Sequence, residues 1–587
     1  MTAGLLVLLF LQDTDLKELQ KSKDVDVLVY AKGAEWALRE QLPEKDAALV
    51  RKSLDRGLRR AMDSERSWTK QKGKVVRGYR SAIDDSIQPY GVLVPGSYDP
   101  KKPIRLDVVL HGSQQPSGMS EVRFMERFAD GAAPAQDFIE LHPLGRVENG
   151  YRFAGEADVF EAIESACANY AVDRRRIVLR GMSMGASGTW HLGLKRPDKF
   201  VALGPYCGYV DTHEFSNTPL ATFVKVGPLP AHQEKALHML DSVDYAANAG
   251  LVPAIACMGE KDVFWDCHVI MGKAMEQEGL KMVNLVSPGT GHVIDPPIHR
   301  EQMRRIGEHV AKGLDPAPPE VHFVTWTLKY NRCFWVELLR LKEHYVRAEI
   351  RARVGDGIIE VDEPKNVRCF GLHRAAARVR VGKSEIETAG KLPIFLEQRD
   401  GAWRLAERFS LDEKRPGLQG PIDDAFSGPF LCVRGTEPPW NAAVQKQADA
   451  ALKRFAEEWR FWFRAELPVK DDVHVTQEDV GKRHLILFGD PGSNSWIRSS
   501  LDRLPLTWTH DEVRLRGKSY AAADHLPVLI GSNVLAPNRY VVLNSGHTFH
   551  PPELKINYLF FPRLGDWAVL KTDGTVVEAG LFDENWK

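Results

Sequence analysis

The stretch RRIVLRGMSMGASGTW, residues 175–190, constrains this chain more than any other. Ile177, Val178 and Leu179, with the stem of Arg180, have the pattern of a short buried strand. Gly181-Met182-Ser183-Met184-Gly185 follows without a break, and Ala186-Ser187-Gly188 then opens a helix reaching Leu194. A serine at such a strand-to-helix junction sits on a tight, strained turn. The glycines on either side let strand and helix approach each other closely. Ser183 is therefore the candidate nucleophile.

The surrounding sequence supplies a framework for that turn. From Lys74 the apolar period is two: 75–81 and 88–94 read as a hairpin around Asp84-Asp85. Leu106–Leu110 is a buried strand ending in His111-Gly112-Ser113. Strand-like Phe138–Leu141, helical Val159–Tyr170, and strand-like Phe200–Leu203, Pro253–Met258 and Lys281–Val286 follow, with helical stretches such as Cys267–Gln277 between them. This alternation predicts an α/β fold, a doubly wound and mostly parallel sheet with helices on both faces. Chemistry in such a sheet lies at the carboxyl ends of its strands. Two candidate groups stand at such ends, in Gly259-Glu260-Lys261-Asp262 and in Gly289-Thr290-Gly291-His292. A serine nucleophile needs a base within hydrogen-bond reach and a carboxylate to fix that imidazole's tautomer. His292 is the expected base and Asp262 the expected acid, with Glu260 and Asp266 as competing carboxylates. The oxyanion donors expected are the backbone N–H of Met184 and that of Ser113, with Gly112 or Gln114 as alternatives to Ser113.

Three segments carry a resemblance: PYGVLVPGSYDPKKPIRLDVVLHG (89–112), DVFEAIESACANYAVDRRRIVLRGMSMGASGTWHLGLKRPDKF (158–200) and GHVIDP (291–296). Together they resemble the catalytic domain of prolyl-oligopeptidase-like serine hydrolases. The likeness is to its compact esterase-like branch, which also resembles feruloyl esterases and polyhydroxybutyrate depolymerases, and it covers about Lys74 to Lys312. It implies an α/β-hydrolase fold and cleavage of an ester or peptide acyl bond through a Ser183 acyl-enzyme, with the Ser183, Asp262, His292 order. Ala186 departs from the family's second glycine but is small enough to keep the packing. The stretch before His111 is too short for the β-propeller that gates true prolyl oligopeptidases and shows no such repeats, so that gate is not expected. The opposing functional reading is a non-catalytic binding protein on a hydrolase scaffold.

The rest of the 587-residue chain divides by composition. Residues 1–12 include the apolar run Leu5–Leu11, which has the form of a short signal-peptide core without a basic flank. Its reading is export, secreted or periplasmic, with a cytoplasmic protein as the alternative. Residues 13–73 are helical in period, with Val50, Leu54, Leu58 and Ala61/Met62 on one face, and 74–315 form the catalytic unit. After Pro316-Ala317-Pro318-Pro319, alternating segments predict a β-sandwich over 320–410, and 416–587 predict a second, smaller α/β unit of flavodoxin-like kind. Every triad candidate precedes Pro316, so a fragment ending at Leu314 is expected to hold a complete site by itself. Two weaker motifs lie beyond it: Gly489–Asn494, which lacks the Lys-Ser/Thr of a phosphate loop, and Asn544-Ser545-Gly546-His547, whose serine lies in no elbow. The seven cysteines show no Cys-X-X-Cys spacing, so neither a metal site nor a cofactor is expected. With 78 basic against 79 acidic side chains, no net field draws nucleic acid or an anionic membrane. The expected partner is a small ester or peptide substrate, with no nucleic acid and no integral membrane segment.

Overall fold

The computed structural model describes residues 13–39, 46–114, 119–218, 224–406, 410–549, 554 and 556–587. The apolar run read as a leader lies outside them. Among the described residues no helix is long and apolar enough to cross a membrane.

The first sheet is built from β1 (Gly73–Arg80), β2 (Ile87–Val94), β3 (Ile104–Leu110), β4 (Ile139–Pro143), β5 (Val172–Met182), β6 (Ala202–Tyr206), β7 (Ile255–Gly259) and β8 (Val283–Ser287). They pair in the order β1-β2-β4-β3-β5-β6-β7-β8. β2 runs antiparallel to both its neighbours. Every other pairing in the sheet is parallel. The short Ser81–Ser86 connection allows only an antiparallel return, whereas the helices after β3 supply the long crossovers that parallel strands need. Successive residues of β5 feed two cores. Val178 joins Ala202, Ile255 and Ile306 in one, while Leu179 joins Trp190, Leu192 and Leu203 in the other. The sheet is thus covered on both faces, as an α/β-hydrolase fold requires.

Helix Val25–Arg39 packs on β1, and helix Ala47–Met62 packs on that helix in turn. Asp26 is buried and accepts from Arg77 Nε at 3.0 Å, Trp68 Nε1 at 3.0 Å and the Gly78 N–H at 2.9 Å. The buried stripe of the second helix runs through Val50, Ser53, Leu54 and Gly57. It does not reach Met62, which is 76 % exposed at the helix end.

Residues 320–405 form two five-stranded sheets enclosing one apolar cluster, with Phe323, Val336, Leu338, Phe370 and Leu396 at its centre. The last unit differs from the flavodoxin-like reading. Its seven-stranded sheet is parallel only across Val469–Asp471, Phe430–Arg434, His484–Phe488 and Ala536–Leu543. His525–Asn533, Trp567–Lys571 and Val576–Gly580 add antiparallel strands. The reason is local: only two residues separate Asn533 from Ala536, and a turn that short can join only antiparallel strands. Asn494 caps helix Ser495–Ser500, accepting from Trp496 and Ile497 N–H, so Gly489–Asn494 is a strand-to-helix turn.

Packing argues against the independence expected of residues up to Leu314. One continuous apolar core takes in Val108, Trp190 and Leu203 from the hydrolase sheet and Phe430, Phe455, Trp459 and Leu487 from the last unit. Polar contacts cross the same boundary. Fully buried Arg146 pairs with Asp84 at 2.7 Å and donates to the Phe463 carbonyl at 3.1 Å. Trp459 Nε1 donates to the same Asp84 carboxylate at 2.9 Å. Arg464 grips buried Glu121 with two bonds of 2.7 and 3.1 Å. Nothing in sequence spacing announces the contacts that cross the boundary, whose partners lie more than three hundred residues apart.

Candidate active site

Ser183 lies between β5 and helix Met184–Lys195 with φ +58° and ψ −123°, a conformation that costs a non-glycine residue of order 1–3 kcal/mol. Its surroundings hold it there. The Ser183 N–H donates to the Tyr206 carbonyl at 2.9 Å, and its own carbonyl accepts from the Ala186 and Ser187 N–H groups. The flanking glycines are a matter of space. A Cβ on Gly185 would fall 2.1 Å from the Leu110 carbonyl oxygen, and one on Gly181 would fall 2.5 Å from the Gly185 oxygen. The elbow is pressed directly onto the end of β3. Arg180, taken in the sequence only as a strand stem, anchors it from below by donating to Asp107 at 2.9 Å and Glu140 at 2.6 Å.

The loops after β7 and β8 are joined to each other. Lys261 N–H donates to the Thr290 carbonyl at 2.8 Å and Glu260 N–H to the Ser287 carbonyl at 3.0 Å. Glu260 itself is spent on this junction, its carboxylate accepting from Gly289 N–H at 2.7 Å. The joined loops bring Asp262 Oδ2 within 2.9 Å of His292 Nδ1, and His292 Nε2 within 2.9 Å of Ser183 Oγ. With Nδ1–H donating to the carboxylate, Nε2 is left to accept from the serine hydroxyl. Asp262 Oδ1 accepts from Phe264 N–H at 2.9 Å. Asp266 is exposed on the first turn of helix Trp265–Gln277. The Phe264 ring stands edge-on to His292, with centroids 5.1 Å apart, and fixes the imidazole plane from the side.

Burial pushes the Asp262 carboxyl up, but hydrogen bonds from His292, from the Cys207 thiol and from Phe264 N–H outweigh it and hold it below the usual carboxylate range. It is the carboxylate form that an imidazole partner needs. Cys207 is a residue the sequence missed, because cysteines in apolar runs read as inert and nothing in spacing links 207 to 262. Among the described residues, Cys207, Asp262 and His292 are the one His/Cys/Asp/Glu trio close enough to surround an ion. Here the imidazole and the carboxylate are bonded to each other.

The loop after β3 lies beside the nucleophile. A Cβ on Gly112 would sit 3.4 Å from Ser183 Cβ. His111 is held between the Gly112 and Leu144 carbonyls at 2.9 Å each, and its own carbonyl accepts from Tyr151 Oη at 2.9 Å. Ser113 continues this loop. Gln114, the alternative donor, has its N–H committed to Glu148 Oε1 at 2.7 Å. Met184 is the first residue of its helix, where backbone N–H groups have no intrahelical acceptor and the helix dipole favours negative charge.

A family model matches the part of the chain that holds Ser183, Asp262 and His292. The prolyl oligopeptidase family of serine peptidases matches residues 148–314. No curated protein matches the chain. Solved structures similar to it include the fluorophosphonate-binding serine hydrolase F of Staphylococcus aureus, at 17 % identity over 41 % of this chain and 99 % of that one, TM-score 0.32. A ferulic acid esterase is 19 % identical over 41 % of this chain and 97 % of its own, TM-score 0.29. An acylaminoacyl peptidase is 20 % identical over 42 % and 43 %, TM-score 0.31. A serine on a strained elbow, a sheet in the hydrolase order and a family match spanning elbow and histidine lead to one conclusion: residues 148–314 are similar to the prolyl oligopeptidase family, within an α/β-hydrolase fold followed by additional carboxyl-terminal units, and that match indicates a serine peptidase or esterase.

Proposed function

We propose that the protein hydrolyses a carboxylic ester or peptide bond through an acyl-enzyme on Ser183. The observation that carries this is the unbroken Asp262–His292–Ser183 series, with both links at 2.9 Å. Ser183 Oγ attacks the acyl carbon while His292 Nε2 takes its proton, and Asp262 keeps the imidazole in the required tautomer and stabilises the imidazolium. The negative oxygen that develops is held by the N–H groups of Met184 and Ser113. His292 returns its proton to the leaving alkoxide or amine, and water then repeats the sequence in reverse to release the acid.

The test is turnover of a small activated ester by the full chain and its variants. Ser183→Ala and His292→Ala lower kcat by several orders of magnitude with melting temperature unchanged, because triad members act as a unit. Asp262→Asn is also severe, through the wrong tautomer, while Asp266→Asn is near normal. A near-normal Asp262→Asn beside a dead Asp266→Asn transfers the acid role to Asp266.

A further inference from the structure

We propose that Cys207 is a positioning residue for the reaction, its thiol serving as a further hydrogen-bond donor to Asp262 alongside His292 and the Phe264 N–H. The proposal rests on the triad reading above and deepens it.

Cys207 follows the last residue of β6, on the strand next to the elbow. It is fully buried, and its Sγ lies within 4.8 Å of both an Asp262 carboxylate oxygen and a His292 ring nitrogen. Its backbone has φ +59°, a region that side chains with a Cβ rarely occupy. Two neighbours hold it there. Its N–H donates to the Cys257 carbonyl at 2.9 Å, and Gly208 follows with Ala186 of the elbow helix against its backbone, where a Cβ would meet Ala186 atoms at 2.7 Å. The strained residue thus sits between the nucleophile's helix and the triad acid, and the inference runs from that observed strain to a function.

The chemistry follows from the carboxylate's needs. Asp262 Oδ2 serves His292 and Oδ1 serves Phe264 N–H. A planar carboxylate gripped by those two bonds alone can still rock about its side-chain torsion; a third donor from another strand stops that rotation. A thiol is a weak donor, so it steadies the group while taking only a small share of the charge that serves the imidazole. The thiol is itself driven upward, by burial first and then by its bond to Asp262, so it stays protonated and keeps a hydrogen to donate.

The experiment uses full-length wild type, Cys207→Ala, Cys207→Ser and Ser183→Ala, measuring kcat and KM for a small ester across the pH range. Cys207→Ala is expected to lower kcat about tenfold, the effect of one lost hydrogen bond, with KM within about twofold. The acid limb of its kcat/KM profile moves to higher pH, because a carboxylate relieved of one donor concentrates its charge on the imidazole. Cys207→Ser, which keeps a donor, restores kcat to within about threefold of wild type. A wild-type kcat and profile in Cys207→Ala overturns the proposal, as does a Cys207→Ser variant no better than Cys207→Ala. Should Cys207→Ala fail to fold, infrared spectroscopy reads the same contact. The S–H stretching band lost in Cys207→Ser must shift in Asp262→Asn, and an unmoved band refutes the bond. Labelling of Ser183→Ala by a fluorophosphonate would instead bring down the triad reading itself.

Discussion

Gly185→Ala adds one methyl group at the tightest contact of the elbow. Its Cβ would lie 2.1 Å from the Leu110 carbonyl oxygen, 2.6 Å from the carbonyl carbon and 2.9 Å from the His111 oxygen. All three are backbone atoms of β3 and the loop after it, so no side chain can swing away. Restoring an ordinary contact of about 3.2 Å to the Leu110 oxygen moves the helix start and β3 apart by about 1 Å. Overpacking of that kind costs about 1–3 kcal/mol of stability. The larger effect is on chemistry. The separated pieces carry Ser183 and Met184 on one side and the Gly112-Ser113 loop on the other, and a misplacement of about 1 Å in such a constellation costs about 10²-fold in rate. The matched control is Gly307→Ala, on helix Pro296–Lys312, where an added Cβ meets nothing within 4 Å. There the same chemical change stabilises by about 0.5–1 kcal/mol, through helix propensity. The assay is the second-order rate of labelling by a fluorophosphonate, read beside thermal unfolding. Gly185→Ala is expected to label at least about 100-fold more slowly and melt earlier, while Gly307→Ala labels normally and melts no lower. A folded Gly185→Ala that labels at the wild-type rate would refute the reasoning.

Two further perturbations follow from the packing. A fragment ending at Leu314 strips Trp459 from Asp84 and Arg464 from Glu121 and exposes the shared core, so it should aggregate on expression. Recovery of a monodisperse fragment that labels like the full chain would show that the later units are dispensable. Lys32 is buried, 3.9 Å from a Glu121 carboxylate that Arg464 already holds, and its Nζ has no hydrogen-bond partner among the described residues. Burial pulls its pKa down to about 7 against Glu121, with Arg146 and Arg464 adding to the fall and Asp84 opposing it. Between pH 7 and about 10 the unfolded chain therefore binds the extra proton, and stability rises with pH through that window. Lys32→Met should raise the melting temperature near pH 6 and lose that advantage by about pH 10; an equal shift at both pH values would contradict the sign.

What the sequence made legible was whatever depends on local order. The strand, turn and helix around Ser183 needed only the glycine spacing and the change of apolar period, and the eight strands fall where alternating segments and their breakers put them. The candidate histidine and acids could be placed at strand ends for the same reason. Choosing among Glu260, Asp262 and Asp266 required the joined loops, since only in three dimensions is Glu260 seen spent on Gly289 and Asp266 turned to solvent. Contacts between distant parts of the chain were silent. Arg146 and Trp459 meet at Asp84 because three separate elements converge, and no periodicity in any one of them encodes that meeting. The mixed sheet of the last unit was misjudged for a smaller reason: the two-residue link from Asn533 to Ala536 carries none of the usual turn residues, so it gave no sign of a hairpin.

The central claim is that a covalent intermediate forms on Ser183, and peptide mapping by mass spectrometry after reaction with a fluorophosphonate tests it most directly. The account predicts one adduct per chain, located on the peptide that contains Gly181–Gly185, and none in Ser183→Ala. An adduct on another serine such as Ser545, or an unmodified wild-type chain with its fold intact, would contradict it.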